Sequence, residues 1–147
     1  MKVVLQRVTR ADVVIDAKCV AEIERGLVAL VGIEKGDTEE DVAYLAQKTV
    51  ELRIFSDADG KMNLSLRDIE GKLLAVSQFT LLADWRKGRR PGFTKAASPE
   101  EGKRLYESYV EKVRSFGIDV ECGVFAADMK VSLTNDGPVT LILDTHE

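Results

Sequence analysis

Two short segments put polar groups where apolar, strand-like runs should end. Ser77-Gln78-Phe79-Thr80-Leu81 closes the run Leu73 to Val76, and Asn135-Asp136-Gly137-Pro138-Val139-Thr140 sets a Gly-Pro step between Lys130 to Leu133 and Val139 to Leu143. Thr80 could act as a nucleophile, but a hydroxyl needs a general base, and no His or Lys stands near it in sequence. The single histidine, His146, lies one residue from the C-terminal end, where fraying is usual, so an imidazole-based triad has no material. Cys19 and Cys122 are too isolated for a disulfide framework or a zinc site, and buried free thiols are expected. No metal and no cofactor is expected. The acidic spacing of Ser56 to Lys61 hints at a calcium loop but lacks the downstream Glu and flanking helices, which favours a plain turn.

The charge is unevenly spread. The chain carries −4 in total, yet Asp84 to Lys95 holds five cations (Arg86, Lys87, Arg89, Arg90, Lys95) against one anion, a local +4 that leaves −8 elsewhere. Such an acidic remainder argues against nucleic-acid binding over the whole surface. The basic stretch interleaves Trp85 and Phe93, a combination able to hold phosphates and stack on a terminal base of single-stranded RNA; an ordinary solvated loop is the plainer reading.

The 147 residues suit a single domain, 1–147, that buries roughly two-thirds of its unfolded surface. No apolar run approaches the ~20 residues of a membrane span, and no signal core follows Met1-Lys2; no membrane association and a cytoplasmic location are expected. Val3 to Val8, Asp12 to Ile15, Val20 to Ile23 and Leu27 to Ile33 read as antiparallel strands. Thr38 with Asp41 caps a helix whose face is Val42, Leu45, Ala46, Thr49 and Leu52. Arg53 to Phe55 reads as a short strand, and Leu73 to Phe79 as one buried on both faces, with Ser77 and Phe79 to one side and Gln78 and Thr80 to the other while it stays regular. Ser98-Pro99-Glu100-Glu101 starts a second helix as a capping box, with Leu105, Tyr109, Val113 and Phe116 on one face and Gly117 ending it. Strands at 119–125, 129–133 and 139–143 complete an α+β chain, a curved antiparallel sheet or barrel-like core covered by two helices.

With Arg7 in the opening Met1-Lys2-Val3-Val4-Leu5-Gln6-Arg7-Val8, the two polar segments make the chain similar, from Met1 to nearly its last residue, to the D-aminoacyl-tRNA deacylases. That resemblance implies a barrel-like fold in a homodimer with active sites at the subunit interface, and aminoacylated tRNA as the partner. It implies a pocket formed by Ser77, Gln78, Phe79 and Thr80, with RNA-assisted, largely backbone-mediated hydrolysis of the aminoacyl ester. The ribose hydroxyl beside the ester can help to activate water, and backbone N–H groups near Phe79 and Thr80 can serve as an oxyanion hole, each donor worth about 3 kcal/mol. It further implies a cis Gly137–Pro138 step, flanked by Asn135, Val139 and Thr140, that enters the other subunit's site. Two aligned carbonyls there would receive the α-ammonium and clash with an L side chain; glycine, having none, would enter, so glycyl-tRNA mischarged on alanine tRNA is an implied substrate. Arg7 takes a supporting role, its planar fork holding the Gly-Pro loop.

Two other readings remain at this level. A related editing enzyme would remove small L-amino acids, but is expected to carry Pro-Gln-Ala-Thr in place of Ser-Gln-Phe-Thr. A non-catalytic nucleic-acid binder would use only the basic loop.

Overall fold

The computed structural model describes residues 1–147. Its strands are β1 (Lys2–Ile15), β2 (Lys18–Ile23), β3 (Gly26–Gly32), β4 (Phe55–Ser56), β5 (Met62–Leu64), β6 (Lys72–Ser77), β7 (Val120–Cys122) and β8 (Lys130–Asp144), with helices α1 (Glu39–Glu51) and α2 (Pro99–Ser115). The main sheet runs β2-β1-β3-β6-β7, and β8 lies along the other edge of β1. Because β2 also approaches β6 and β7, the sheet curls almost closed.

The first three strands form the expected antiparallel meander, but β3–β6 and β6–β7 are parallel. The reason is the helices: α1 lies between β3 and β6, and α2 between β6 and β7, so each returns the chain to the end from which the previous strand began. The sheet is therefore mixed.

Two apolar clusters use opposite faces of the same strands. Leu27, Ala29 and Val31 of β3 and Leu73 and Ala75 of β6 join α1 and α2 in the larger one, while Val28, Leu74 and Val76 join Ala21 and Ile23 in the smaller. The near-continuous apolar run of β6 thus marks burial on both faces. On β1 the inward set switches from Val3 and Leu5 to Val8, Ala11 and Val13, and Arg7 sits at the switch. A single bent strand occupies the place of the two expected there. The strands expected at 129–133 and 139–143 likewise merge into β8, and the one at 119–125 shortens to β7.

Thr38 and Asp41 make a reciprocal capping box on α1; Ser98 caps α2 by accepting from the Glu101 amide, but the Glu101 carboxylate turns to Arg104 rather than back to the cap. The helices are tied to each other by a 2.8 Å hydrogen bond between Thr49 Oγ1 and the Tyr109 hydroxyl, and α2 is tied to β6 by Tyr106 donating to the Ala75 carbonyl at 3.0 Å. Burial pushes both tyrosine pKa values well above the ordinary range.

Three expectations need correcting. Cys19 is exposed and Cys122 half-buried, because neither reaches either apolar cluster's interior. His146 does not hang free: its Nε2 lies 2.9 Å from Asp37 Oδ1. The strand at 53–55 begins later, at Phe55. The acidic turn is the plain one expected, with Asp57 Oδ1 accepting from the Asp59 and Lys61 amides of its own loop.

Candidate active site

β6 makes its last ladder bond through the Gln78 amide to the Val31 carbonyl, at 2.8 Å. Gln78 then leaves extended geometry, and Phe79–Leu82 forms one 3₁₀ turn. The period-two assignment of side chains consequently fails after Ser77. Opening this turn leaves the Phe79 and Thr80 amides without acceptors inside the chain, as the first N–H groups of a helical turn must be. The Thr80 hydroxyl accepts from Gln78 Nε2 at 3.1 Å and is exposed, with no basic side chain bonded to it. Cys122, the only partly buried thiol, has its pKa raised by burial, which disfavours a thiolate nucleophile.

Ser77, Gln78, Phe79 and Thr80 line one cleft of about 480 Å³. Its other walls are mostly apolar: Ile33 after β3, Phe93, Ala96, Ala97 and the Ser98 cap before α2, Pro99 and Gly102 on α2, and Phe125, Ala126, Ala127 and Met129 after β7. Phe79, 56% exposed, meets Phe93 edge to face with ring centroids 5.1 Å apart. The wall formed by Phe125, Ala126 and Ala127 was not legible in the sequence; the left-handed Ala126 (φ 66°) marks the turn, yet no glycine signals it.

The second motif lies elsewhere. In the β1–β8 pairing, Gln6 faces Thr140 and Val8 faces Asn135, so the four residues Asp136 to Val139 stand opposite the single Arg7 and loop outward. Arg7 holds this loop: Nε donates to the Asp136 carbonyl at 3.1 Å, and Nη1 to the Ile54 carbonyl at 2.7 Å. Asn135 closes the base, its Nδ2 donating to the carbonyls of Arg7 (2.9 Å) and Val139 (3.0 Å), while Thr140 Oγ1 donates to Asn135 Oδ1 at 3.1 Å. The Gly137–Pro138 peptide is cis and both residues are exposed. Gly137 has φ +127°, and a Cβ there would stand 2.8 Å from Val139 Cγ2 and 3.1 Å from Arg7 Nη2, so no other residue fits the loop unstrained.

None of Asn135, Gly137, Pro138, Val139 and Thr140 lines the cleft of its own chain. Strands β1 and β3 separate β8 from β6, and Arg7 and Ser77 pair with Leu27 and Val31, four residues apart on β3, or ~13 Å along the strand. One protomer does not unite the two motifs.

The basic segment is a loop pinched at its neck by paired hydrogen bonds between Asp84 and Gly92. Arg86, Lys87, Arg89, Arg90 and Lys95 are all exposed, and none forms an ion pair. Trp85 is 69% exposed with the Arg86 guanidinium over its ring at 5.3 Å. Phe93 belongs to both loop and cleft, so the free cations adjoin the cleft. No helix of the chain is long and apolar enough to cross a membrane.

Residues 4–144 match the family described as D-Tyr-tRNA(Tyr) deacylase. A D-aminoacyl-tRNA deacylase of Geobacter sulfurreducens is 59% identical over 99% of this chain and 95% of its own length, and one of Rhodopirellula baltica is 60% identical over 98% and 99%. Among solved structures, one named c-Myc DNA Unwinding Element Binding Protein superposes with a TM-score of 0.93 at 38% identity, covering 99% of both chains. Another, described as a probable eukaryotic D-amino acid tRNA deacylase, has the same fold, with a TM-score of 0.81 at 20% identity over 97% of both.

Proposed function

Since the chain belongs to the D-Tyr-tRNA(Tyr) deacylase family, whose members are hydrolases, we propose that it hydrolyses the ester of D-aminoacyl-tRNA to free D-amino acid and tRNA in the cytoplasm, with no metal in the reaction. The observation that carries the chemistry is the 3₁₀ turn at the cleft, which offers the Phe79 and Thr80 amides with no internal acceptor. Two such donors aimed at the ester oxygen stabilise the charge that develops as water adds, about 3 kcal/mol for each. The terminal ribose hydroxyl assists the water. Ser77 and Gln78 shape the mouth of the cleft, and the free cations Arg86, Lys87, Arg89, Arg90 and Lys95 take the phosphates of the tRNA 3′ end, with Trp85 available for stacking.

Chirality enters through the Gly137–Pro138 loop of a second copy. The loop is exposed, held from behind by Arg7 and Asn135, and remote from its own cleft. In a homodimer it reaches the partner's cleft, where its carbonyls bind the α-ammonium and its bulk excludes an L side chain, with Val139 and Thr140 flanking the contact. Exclusion by clash exceeds the roughly 1–3 kcal/mol available from a methylene in an apolar pocket. Glycine escapes the clash, so glycyl-tRNA mischarged on alanine tRNA is a substrate too.

Incubation with D-Tyr-tRNA and L-Tyr-tRNA, with and without chelator, tests this reading. The D ester is hydrolysed, the L ester is spared, and chelator changes neither; equal rates on both hands remove the chiral claim, and loss of turnover with chelator removes the metal-free one. The 38%-identical neighbour's name motivates a second reading as a DNA-binding module. A binder of that kind loses affinity steeply with salt and leaves the ester intact.

A further inference from the structure

Away from the cleft, three potential metal ligands converge where the C-terminal segment crosses the β3–α1 connection. His146 Nε2 lies 3.0 Å from Glu34 Oε2 and 2.9 Å from Asp37 Oδ1, and the ligand atoms of all three lie within 4.8 Å of one another. Asp37 is the buried floor of the cluster, its side chain fully shielded, whereas the His146 ring and Glu34 remain partly open to solvent.

The donor atoms are held by a surrounding shell. Asp37 Oδ2 accepts from the Glu34 amide, and the Asp37 amide donates to the Glu34 carbonyl at 3.1 Å, so the Asp37 carboxylate is held against the Glu34 main chain in one turn. The His146 amide donates to Asp144 Oδ1 at 2.9 Å, which fixes the ring's approach. Outer hydrogen bonds of this kind orient metal ligands. The Met1 ammonium pairs with Asp37 Oδ1 at 2.7 Å and offsets one carboxylate, while Lys2 is turned to Asp144 at 3.8 Å. Of the two carboxylates only Asp37 is paired with the N-terminal ammonium, and Glu34 has no Lys or Arg partner.

We propose that Glu34, Asp37 and His146 form a binding site for a divalent cation of the zinc class, one imidazole nitrogen and two carboxylate oxygens with water completing the shell. This donor set suits Zn²⁺ or Co²⁺ better than Ca²⁺ or Mg²⁺, which prefer oxygen alone. Coordination through Nε2 would leave the ring hydrogen on Nδ1. Tetrahedral bonds of about 2.0–2.2 Å would hold the donors roughly 3.3–3.6 Å apart, a small outward adjustment from the present contacts. The ion would clasp the chain end to the segment 33–35, whose main chain pairs with 95–97 through Lys35 to Lys95 and Ala97 to Ile33 hydrogen bonds. Its role is structural: no ligand lines the cleft, so hydrolysis does not require it.

The test uses the untagged full chain. Titration with Co²⁺ should give visible d–d absorption of the tetrahedral type saturating at one ion per chain, and Zn²⁺ should raise the unfolding temperature. His146→Ala and Glu34→Gln should each lose the absorption and the temperature rise while still hydrolysing D-Tyr-tRNA; neither variant removes the Asp37–Met1 pair. No Co²⁺ absorption in the wild-type chain, or an equal response in His146→Ala, overturns the site. Because the readouts are spectral and thermal, failure here is separate from failure of the proposed activity.

Discussion

The Gly137–Pro138 loop and the Ser77–Leu82 turn are both interruptions of strands, yet they are built in opposite ways. The loop projects outward but its support is over-determined and largely shielded: Arg7 and Asn135 together supply four side-chain hydrogen bonds to main-chain carbonyls. The turn, by contrast, leaves its first amides open, exposes Phe79 and Thr80, and faces a cleft with mostly apolar walls. In the proposed reading the first is a rigid tool and the second a receiving surface with donors kept in reserve. Selectivity should therefore be sensitive to side chains behind the loop, and turnover should be tolerant of side chains on the turn.

Arg7→Ala tests the rigid half and should have the largest effect. It strips two acceptors, the Asp136 and Ile54 carbonyls, of a charged donor, so stability in urea should fall by about 2–3 kcal/mol, and the loosened loop should begin to admit L-Tyr-tRNA. Arg7→Lys, which lacks the fork, should restore only part of either property. Unchanged stability together with unchanged selectivity would dissolve the contrast.

Behind the cleft, α2 is fixed by Tyr106 and Tyr109, and this support has a pH signature. Burial raises the Tyr109 pKa above its usual value near 10, so the folded state holds its proton longer than the unfolded state. Stability from this group is fully present below pH ~10 and declines as pH rises beyond it. Tyr109→Phe should cost about 1 kcal/mol at neutral pH, through the lost bond to Thr49, and should flatten the alkaline decline in a denaturation series.

Much of this was legible before the fold. Thr38, Ser98 and Gly117 announce helix ends by capping chemistry alone, and the unbroken apolar run Leu73 to Val76 announces a strand buried on both faces. Strand polarity was not legible, because alternation has the same period in either direction and only the helical crossovers decide it. The 3₁₀ turn was hidden too: Phe79-Thr80-Leu81-Leu82 has the residue types of a continuing strand, and its departure is set by where the Val31 ladder ends. Arg7 reads locally as a surface cation, and only the four-against-one bulge opposite it explains its burial. The His146 contact depends on a separation of 109 residues, beyond any local pattern.

Smaller effects belong to the receiving half. Arg89→Ala and Arg90→Ala, on exposed unpaired cations, should leave stability within about 0.5 kcal/mol. Each should raise KM for charged tRNA and reduce the salt slope of binding by about 0.7. Thr80→Ala should change least, turnover falling by less than about tenfold against the roughly 10²–10³ that loss of an oxyanion donor costs. A complete loss with binding intact would instead make the hydroxyl the nucleophile.

The central claim is that loop and cleft work together only between two copies, and a purified mixed dimer tests it directly. One subunit carries Ala127→Trp, which fills its own cleft but keeps a sound loop; the other carries Arg7→Ala, with a sound cleft and a loosened loop. If the loop acts on the partner, the one working cleft receives the sound loop, and the mixed dimer hydrolyses D-Tyr-tRNA while sparing L-Tyr-tRNA. Hydrolysis of both hands at rates like the Arg7→Ala homodimer would place loop and cleft in the same protomer and contradict the account.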